Sequence, residues 1–207
     1  MELTFNQVEM VFTQRFEVPQ ARAVAFRGRL QHLQRVEIPE GSRTGRGIKA
    51  VYGWKQLVQL MIALELLDLG VQPDVTARAV RKSSDTLLHS IYLTLLEFDT
   101  PAAVTKALKR ARCPFAQTHI AVASAGALTF DRDGDPQPYV VTFKGPEFLK
   151  RLTDDPAFEP AGTYIDLGSR VMLLGQLVGR TAGLEPEEVA SSLTAWFSEW
   201  ANANTAS

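Results

Sequence analysis

The sequence predicts a mainly α-helical protein with a small α+β part: helices fill the first half of the chain and a mixed α/β segment follows toward the C-terminus. Apolar residues recur at helical spacing through most of residues 8–110. Apart from two short snippets around a glycine-rich heptapeptide, β-prone runs begin only after Thr118. Of 207 residues, 45% are apolar and 22% charged, the composition of a folded globular chain rather than a disordered one. That length suffices for one large unit or two small ones, each with its own core.

Val8, Val11, Phe12 and Phe16 share one helical face and predict a first helix over residues 8–16. Pro19 is suited to open a second, residues 19–35, with Val24, Leu30 and Leu33 turned inward and arginines elsewhere. Gly28 weakens that helix by about 1 kcal/mol relative to alanine. "VEIPE" and "IKAVY" then flank "GSRTGRG", residues 41–47, and predict a small hairpin with a glycine-rich tip. Trp54 to Leu69 is the clearest helix, with Leu57, Leu60, Met61, Leu64 and Leu67 on one stripe and Gly70 as its stop.

Pro73 opens the next helix, "DVTARAVRK", a separate apolar helix is expected from Thr86 to Phe98, and Thr100-Pro101 starts a short one by N-cap and N1 proline. "HIAVASAGALTF" and "PYVVTF" predict strands joined by "DRDGDPQP", where Asp133-Gly134 signals a turn. "GPEFLKRL" predicts a helix, "GTYIDL" a strand and "SRVMLLGQLVG" a helix. The last helix, Glu185 to Trp200, carries Val189, Leu193, Trp196, Phe197 and Trp200 on one side. The cleanest boundary falls near Arg112 to Thr118. The expected units are residues 1–82, connecting or dimerisation helices at 83–112, and a C-terminal α/β unit at 113–207.

The net charge of −1 conceals an asymmetry. Residues 1–82 hold 12 Lys/Arg against 8 Asp/Glu, and between Arg15 and Lys55 nine basic residues face only Glu17, Glu37 and Glu40. One end is thus suited to a polyanion and the other is not. The single cysteine, Cys113, excludes an intrachain disulfide and a cysteine metal cluster, and fits a reduced setting. "MELTFNQVEM" lacks the basic start and apolar core of a signal peptide, and Gln59, Glu65 and Asp68 interrupt the longest apolar stretch, Leu57 to Val71. A cytoplasmic protein without a membrane partner is expected.

Catalytic patterns are weak. "GSRTGRGIK" lacks the Lys-Ser/Thr of a nucleotide-binding P-loop, and Gly168-Ser169-Arg170 is no nucleophile elbow. His32, His89 and His119 show no ligand spacing and read as surface or packing histidines. Asp131 to Asp135 mimics the start of a calcium loop but meets Pro136 where glycine is needed, and has Thr142 in place of the closing glutamate. The expectation is no enzyme, no metal and no cofactor.

The order of helix, short turn, helix, basic two-stranded wing and two further helices resembles the winged helix-turn-helix domain of the mercury-resistance regulator (MerR) family. "QRVEIP" is similar to the passage from the family's recognition helix into its wing. "IKAVYGWKQLVQLMIALELLDLGVQPDVTARAVR" is similar to the second wing strand and the helices after it, with Tyr52, Leu57, Leu69, Gly70 and Asp74 at the matching positions. Gln31, His32 and Leu33 stand where the family carries Arg-Phe/Tyr-Tyr, and no long dimerisation coiled coil follows. The resemblance covers residues 5–82 and implies sequence-specific binding of double-stranded DNA.

A helix in the major groove reads base edges, while a wing and helix N-termini set register on phosphates. The second helix then supplies Gln20, Arg22, Arg27 and Arg29 as readers. The wing supplies Arg43, Arg46 and Lys49 to phosphates, with Tyr52 and Lys55 beside it. A transcriptional regulator acting as a homodimer is the leading expectation, and its C-terminal unit is open to a protein partner or small-molecule effector. The alternative is a protein-interaction adaptor that uses the same fold without reading DNA.

Overall fold

Helix α1 (Phe5–Arg15) starts earlier than its apolar spacing alone suggests, because Thr4 and Gln7 cap it reciprocally: the Gln7 side chain accepts from the Thr4 N–H at 2.9 Å, and the Thr4 hydroxyl accepts from the Gln7 N–H. The computed structural model describes residues 1–41, 50–124, 140–154 and 162–205. Over these residues the chain is mainly helical with two small sheets. Leu3–Thr4, just before α1, forms β1. A 3-10 turn (Gln20–Arg22) leads directly into α2 (Ala23–Arg35), so Pro19 stands before the 3-10 turn rather than as the first residue of one long helix. Gly28 leaves α2 unbroken.

The strand expected from "VEIPE" does not form. Val36 to Glu40 is a turn that closes α2: Glu37 takes a positive φ of 61°, and the Ile38 N–H reaches back to the Leu33 carbonyl at 2.9 Å. Ile38 is wholly buried by this return, and the Ile38–Pro39 peptide is cis. The strand after the heptapeptide, β2 (Val51–Tyr52), pairs instead with the N-terminal β1, Leu3 opposite Tyr52. The heptapeptide tip itself lies outside the described residues, apart from Gly41.

Helix α3 (Trp54–Asp68) is buried on nearly every side rather than along one stripe; Val58, Ile62 and Leu66 are covered as fully as Leu57, Leu60 and Leu64. Gly70 ends it as expected, with φ 84° and the Val71 N–H bonded to the Leu66 carbonyl at 3.1 Å. The two helices expected over residues 73–98 are one, α4 (Pro73–Leu96). Ser83 and Ser84, which lie between the two expected helices, are buried, and Ser84 accepts a hydrogen bond from Gln59 of α3 at 2.9 Å. A tertiary partner there overrides the weak helix propensity of serine. Helix α5 (Pro101–Arg110) is capped by Thr100 as predicted.

The second sheet is antiparallel, in the order β4 (Val140–Lys144), β3 (His119–Ser124), β5 (Gly162–Asp166). The predicted turn at Asp133-Gly134, and the acidic run from Asp131 to Asp135, lie outside the described residues. Helices α6 (Gly145–Asp154), α7 (Leu167–Ala182) and α8 (Pro186–Thr205) complete the chain. The packing crosses the sequence: α1 lies against α7, α4 against α7 and α8, and Trp54 Nε1 donates to Ser192 Oγ at 3.2 Å. One apolar cluster accordingly joins Val11 and Phe12 to Leu60, Leu88, Val171 and Phe197. Among the described residues no helix is long and apolar enough to cross a membrane, and no group of three His, Cys, Asp or Glu is placed to hold a metal ion.

Cys113 packs beneath Gly168 and is 3% exposed. Burial first, then the neighbouring Asp166 carboxylate, pushes its thiol up to about 12 from an ordinary 9.0. Since the thiolate is the reactive form, alkylation by iodoacetamide near neutral pH is expected to run about three orders of magnitude slower than for an open thiol. Mass-spectrometric timing of the native and the urea-unfolded protein checks this; equal rates would contradict it.

Candidate nucleic-acid interface

Helix α2 buries Phe26, Leu30 and Leu33 against the core. With successive residues turning by about 100°, the opposite side of the helix carries Val24, Gly28, Gln31 and Arg35. Gln31 and Arg35 are exposed, and Val24, expected to face inward, is 85% exposed. Arg22 and Arg29 occupy a flank. They line a cavity of about 190 Å³ with Phe16, Phe26 and Asp68, and neither has a side-chain hydrogen bond or ion pair among the described residues. Gln20 is exposed on the 3-10 turn ahead of them.

Arg27 is placed differently from its neighbours. It pairs with Glu9 of α1, and its guanidinium lies 5.2 Å from the Phe5 ring centroid. Its charge is thereby shared within the fold, and the pair fastens α2 to α1. Arg35 keeps most of its donors free, since only its Nε contacts the Gln31 carbonyl, at 3.4 Å.

Arg43, Arg46 and Lys49 lie outside the described residues, but the two ends of their loop are well defined. On the entering side, the Glu40 N–H donates to Gln59 Oε1 at 3.0 Å, Gln56 Nε2 reaches the Glu40 carbonyl at 3.4 Å, and Lys55 Nζ meets the Glu40 carboxylate at 2.8 Å. The hydrogen bond from Lys55 is the main cause holding the Glu40 carboxyl below its usual range. On the returning side, β2 is paired with β1, and the Tyr52 hydroxyl accepts from Gln34 of α2. Tyr52 is wholly buried, and desolvation raises its phenol above the ordinary value. In this arrangement Tyr52 ties β2 to α2 from a buried position, and Lys55 is paired with Glu40.

The fastening of these elements rests on a buried amide. Gln59 is 2% exposed, yet both ends of its amide are satisfied, one by Glu40 and the other by Ser84. The available signal was a lone glutamine in an otherwise apolar helical stretch. Placing Val24 on the buried face with Leu30 and Leu33 shifts the phase of α2, whereas Phe26, Leu30 and Leu33 form that face and turn Val24, Gln31 and Arg35 outward.

A scan against protein-family models gives no match to this chain, and neither curated proteins nor solved structures give one.

Proposed function

We propose that the protein is a sequence-specific double-stranded DNA-binding regulator of the winged helix-turn-helix kind, in which α2 enters the major groove and the loop at residues 41–50 lies on phosphates. The observation that carries this reading is the side of α2 that faces solvent, where Gln31 and Arg35 are exposed, with Gln20 and Arg22 on the 3-10 turn ahead of it. Arginine pairs bidentately with guanine and glutamine with adenine, and an exposed valine such as Val24 suits the thymine methyl. A twofold dimer would present two such helices to successive half-sites and raise specificity by geometry. The resemblance to the MerR family in residues 5–82 supports this reading through the positions of Tyr52, Leu57, Leu69, Gly70 and Asp74, although the strand it implies at "VEIP" does not form.

The test is selection of binding sites from random duplexes, followed by fluorescence anisotropy at several salt concentrations. If about six phosphates are neutralised, log K falls with log salt at a slope near −5. The Arg43→Ala/Arg46→Ala variant should weaken every duplex alike and flatten that slope by about 2, whereas Gln31→Ala and Arg22→Ala should each cost about 1–3 kcal/mol on the selected site and little on random DNA. Salt-insensitive or absent binding would sink the reading and favour the adaptor function instead.

A further inference from the structure

Between α4, the β3–β4 edge, α6 and the end of α8 lies a cavity of about 550 Å³, distant in sequence from α2 and its loop. Its walls include Asp85 and His89 of α4, His119 of β3, Lys144 of β4, Glu147 of α6, and Trp200 and Asn204 of α8. That volume lies within the usual range for small-molecule sites.

The hydrogen bonding fixes what the walls offer. The Thr94 hydroxyl donates to the Ser90 carbonyl at 2.9 Å, so its single hydrogen is committed. The 3.0 Å contact between Thr94 Oγ1 and His119 Nδ1 must then be donated by the ring, which leaves His119 Nε2 as a bare acceptor. Asn204 donates its amide to the Trp200 carbonyl at 2.7 Å and keeps its oxygen as an acceptor. Lys144 is paired with Glu97 at 2.8 Å, so the one ammonium in the wall is already matched. Glu147 shares an exposed pair with Arg151 at 3.4 Å, whereas Asp85 has no ion pair among the described residues.

The wall thus combines an unmatched carboxylate, further acceptors and an indole, whose face attracts cations. An anion would meet Asp85 and Glu147 with no uncommitted cation to receive it. We propose that this cavity binds a small organic cation of the amine or amidine class, its N–H groups donating to Asp85 and to His119 Nε2 and its apolar body resting on Trp200.

The site carries its own pH dependence. Burial, then Lys144 and, more weakly, His89, hold the His119 ring below the ordinary histidine range, while Glu97 and Glu147 act the other way. The ring is therefore neutral at neutral pH, and acidification converts its acceptor into a donor and adds a repelling charge. Cation affinity should therefore hold steady near neutral pH and fall only as acidification passes below the ordinary histidine value of about 6.5.

The experiment is titration calorimetry of the full chain, without DNA, using benzamidine and tryptamine as probes and benzoate and benzyl alcohol as matched controls. Saturable binding of a cationic probe is expected, with none of benzoate. Asp85→Asn should weaken it by about tenfold to a hundredfold, and Asp99→Asn should not change it. Asp85 is exposed, so its exchange leaves the core intact, and a matching thermal melt confirms that. Trp200→Leu should weaken both cationic probes. Benzoate binding as tightly as benzamidine, unchanged affinity in Asp85→Asn, or no heat with any probe would each overturn the proposal. None of these outcomes depends on whether α2 reads DNA.

Discussion

Gly168→Ala is expected to lower stability by about 3 kcal/mol, the upper part of the range for overpacking a close-packed site. A Cβ at Gly168 would stand 2.5 Å from Thr118 Oγ1, 2.8 Å from Cys113 Sγ and 2.9 Å from Cys113 Cβ. None of these is the end of a long flexible side chain. The Thr118 hydroxyl accepts from the Gly168 N–H at 2.9 Å and donates to Asp166, which in turn caps α7 through the Ser169 N–H at 2.9 Å. The extra methyl would therefore disturb the join between β3 and α7 as well as the packing. In thermal unfolding the loss corresponds to a fall of roughly 6–12 °C for a chain of this size. Gly28→Ala is the internal contrast. Nothing lies within 4 Å of the Cβ it would add to α2, so a gain of about 0.5–1 kcal/mol is expected. If both exchanges moved the midpoint in the same direction, the packing described at one of these sites would be wrong.

The second large effect is expected at Glu65, where α1, α3 and α7 meet. Its carboxylate pairs with Arg15, and Arg170 Nε lies 3.2 Å from the same oxygen, close enough for an ion pair though out of line for a hydrogen bond. The side chains of Glu65 and Arg15 are only 14% and 15% exposed. Glu65→Ala would leave the Arg15 charge buried beside a second guanidinium and is expected to cost about 3 kcal/mol. Arg170 is 37% exposed, so water screens its share and Arg170→Ala should cost about 1 kcal/mol or less. Urea midpoints of the two single variants and the double variant measure the coupling. A loss below about 1 kcal/mol in Glu65→Ala would show that the cluster behaves as an ordinary surface pair.

Arg15 also illustrates how far the sequence could be read. It counts among the nine basic residues that suggested a polyanion surface, yet the fold turns it inward to Glu65, and Arg27 is similarly taken by Glu9. Local signals were reliable where chemistry is local: Gly70 after α3, Thr100-Pro101 before α5, and the turn of character near Thr118. They failed where a distant partner decides. Two helices were expected either side of residues 83–85, yet Gln59 pairs with Ser84 and one helix runs through, and "VEIPE" looked like a strand although β2 finds its partner at the N-terminus. Among site residues, the exposed side of α2 was legible in composition but not in phase. The cavity around Asp85 was illegible because its walls come one or two residues at a time from separate elements.

The packing of α1 against α7 also bears on the order in which the protein can mature. Helix α1 ends at Arg15 and α7 begins at Leu167, so a helix synthesised early waits for a partner synthesised much later. A chain halted at residue 112 would contain α2, yet would leave α1 without α7 and Glu65 without Arg170. Such a fragment is a poor surrogate for the whole protein in binding studies, and a premature stop would yield a product with an uncovered apolar face. Synthesis itself thereby withholds a settled scaffold from the exposed side of α2 until α7 has been made.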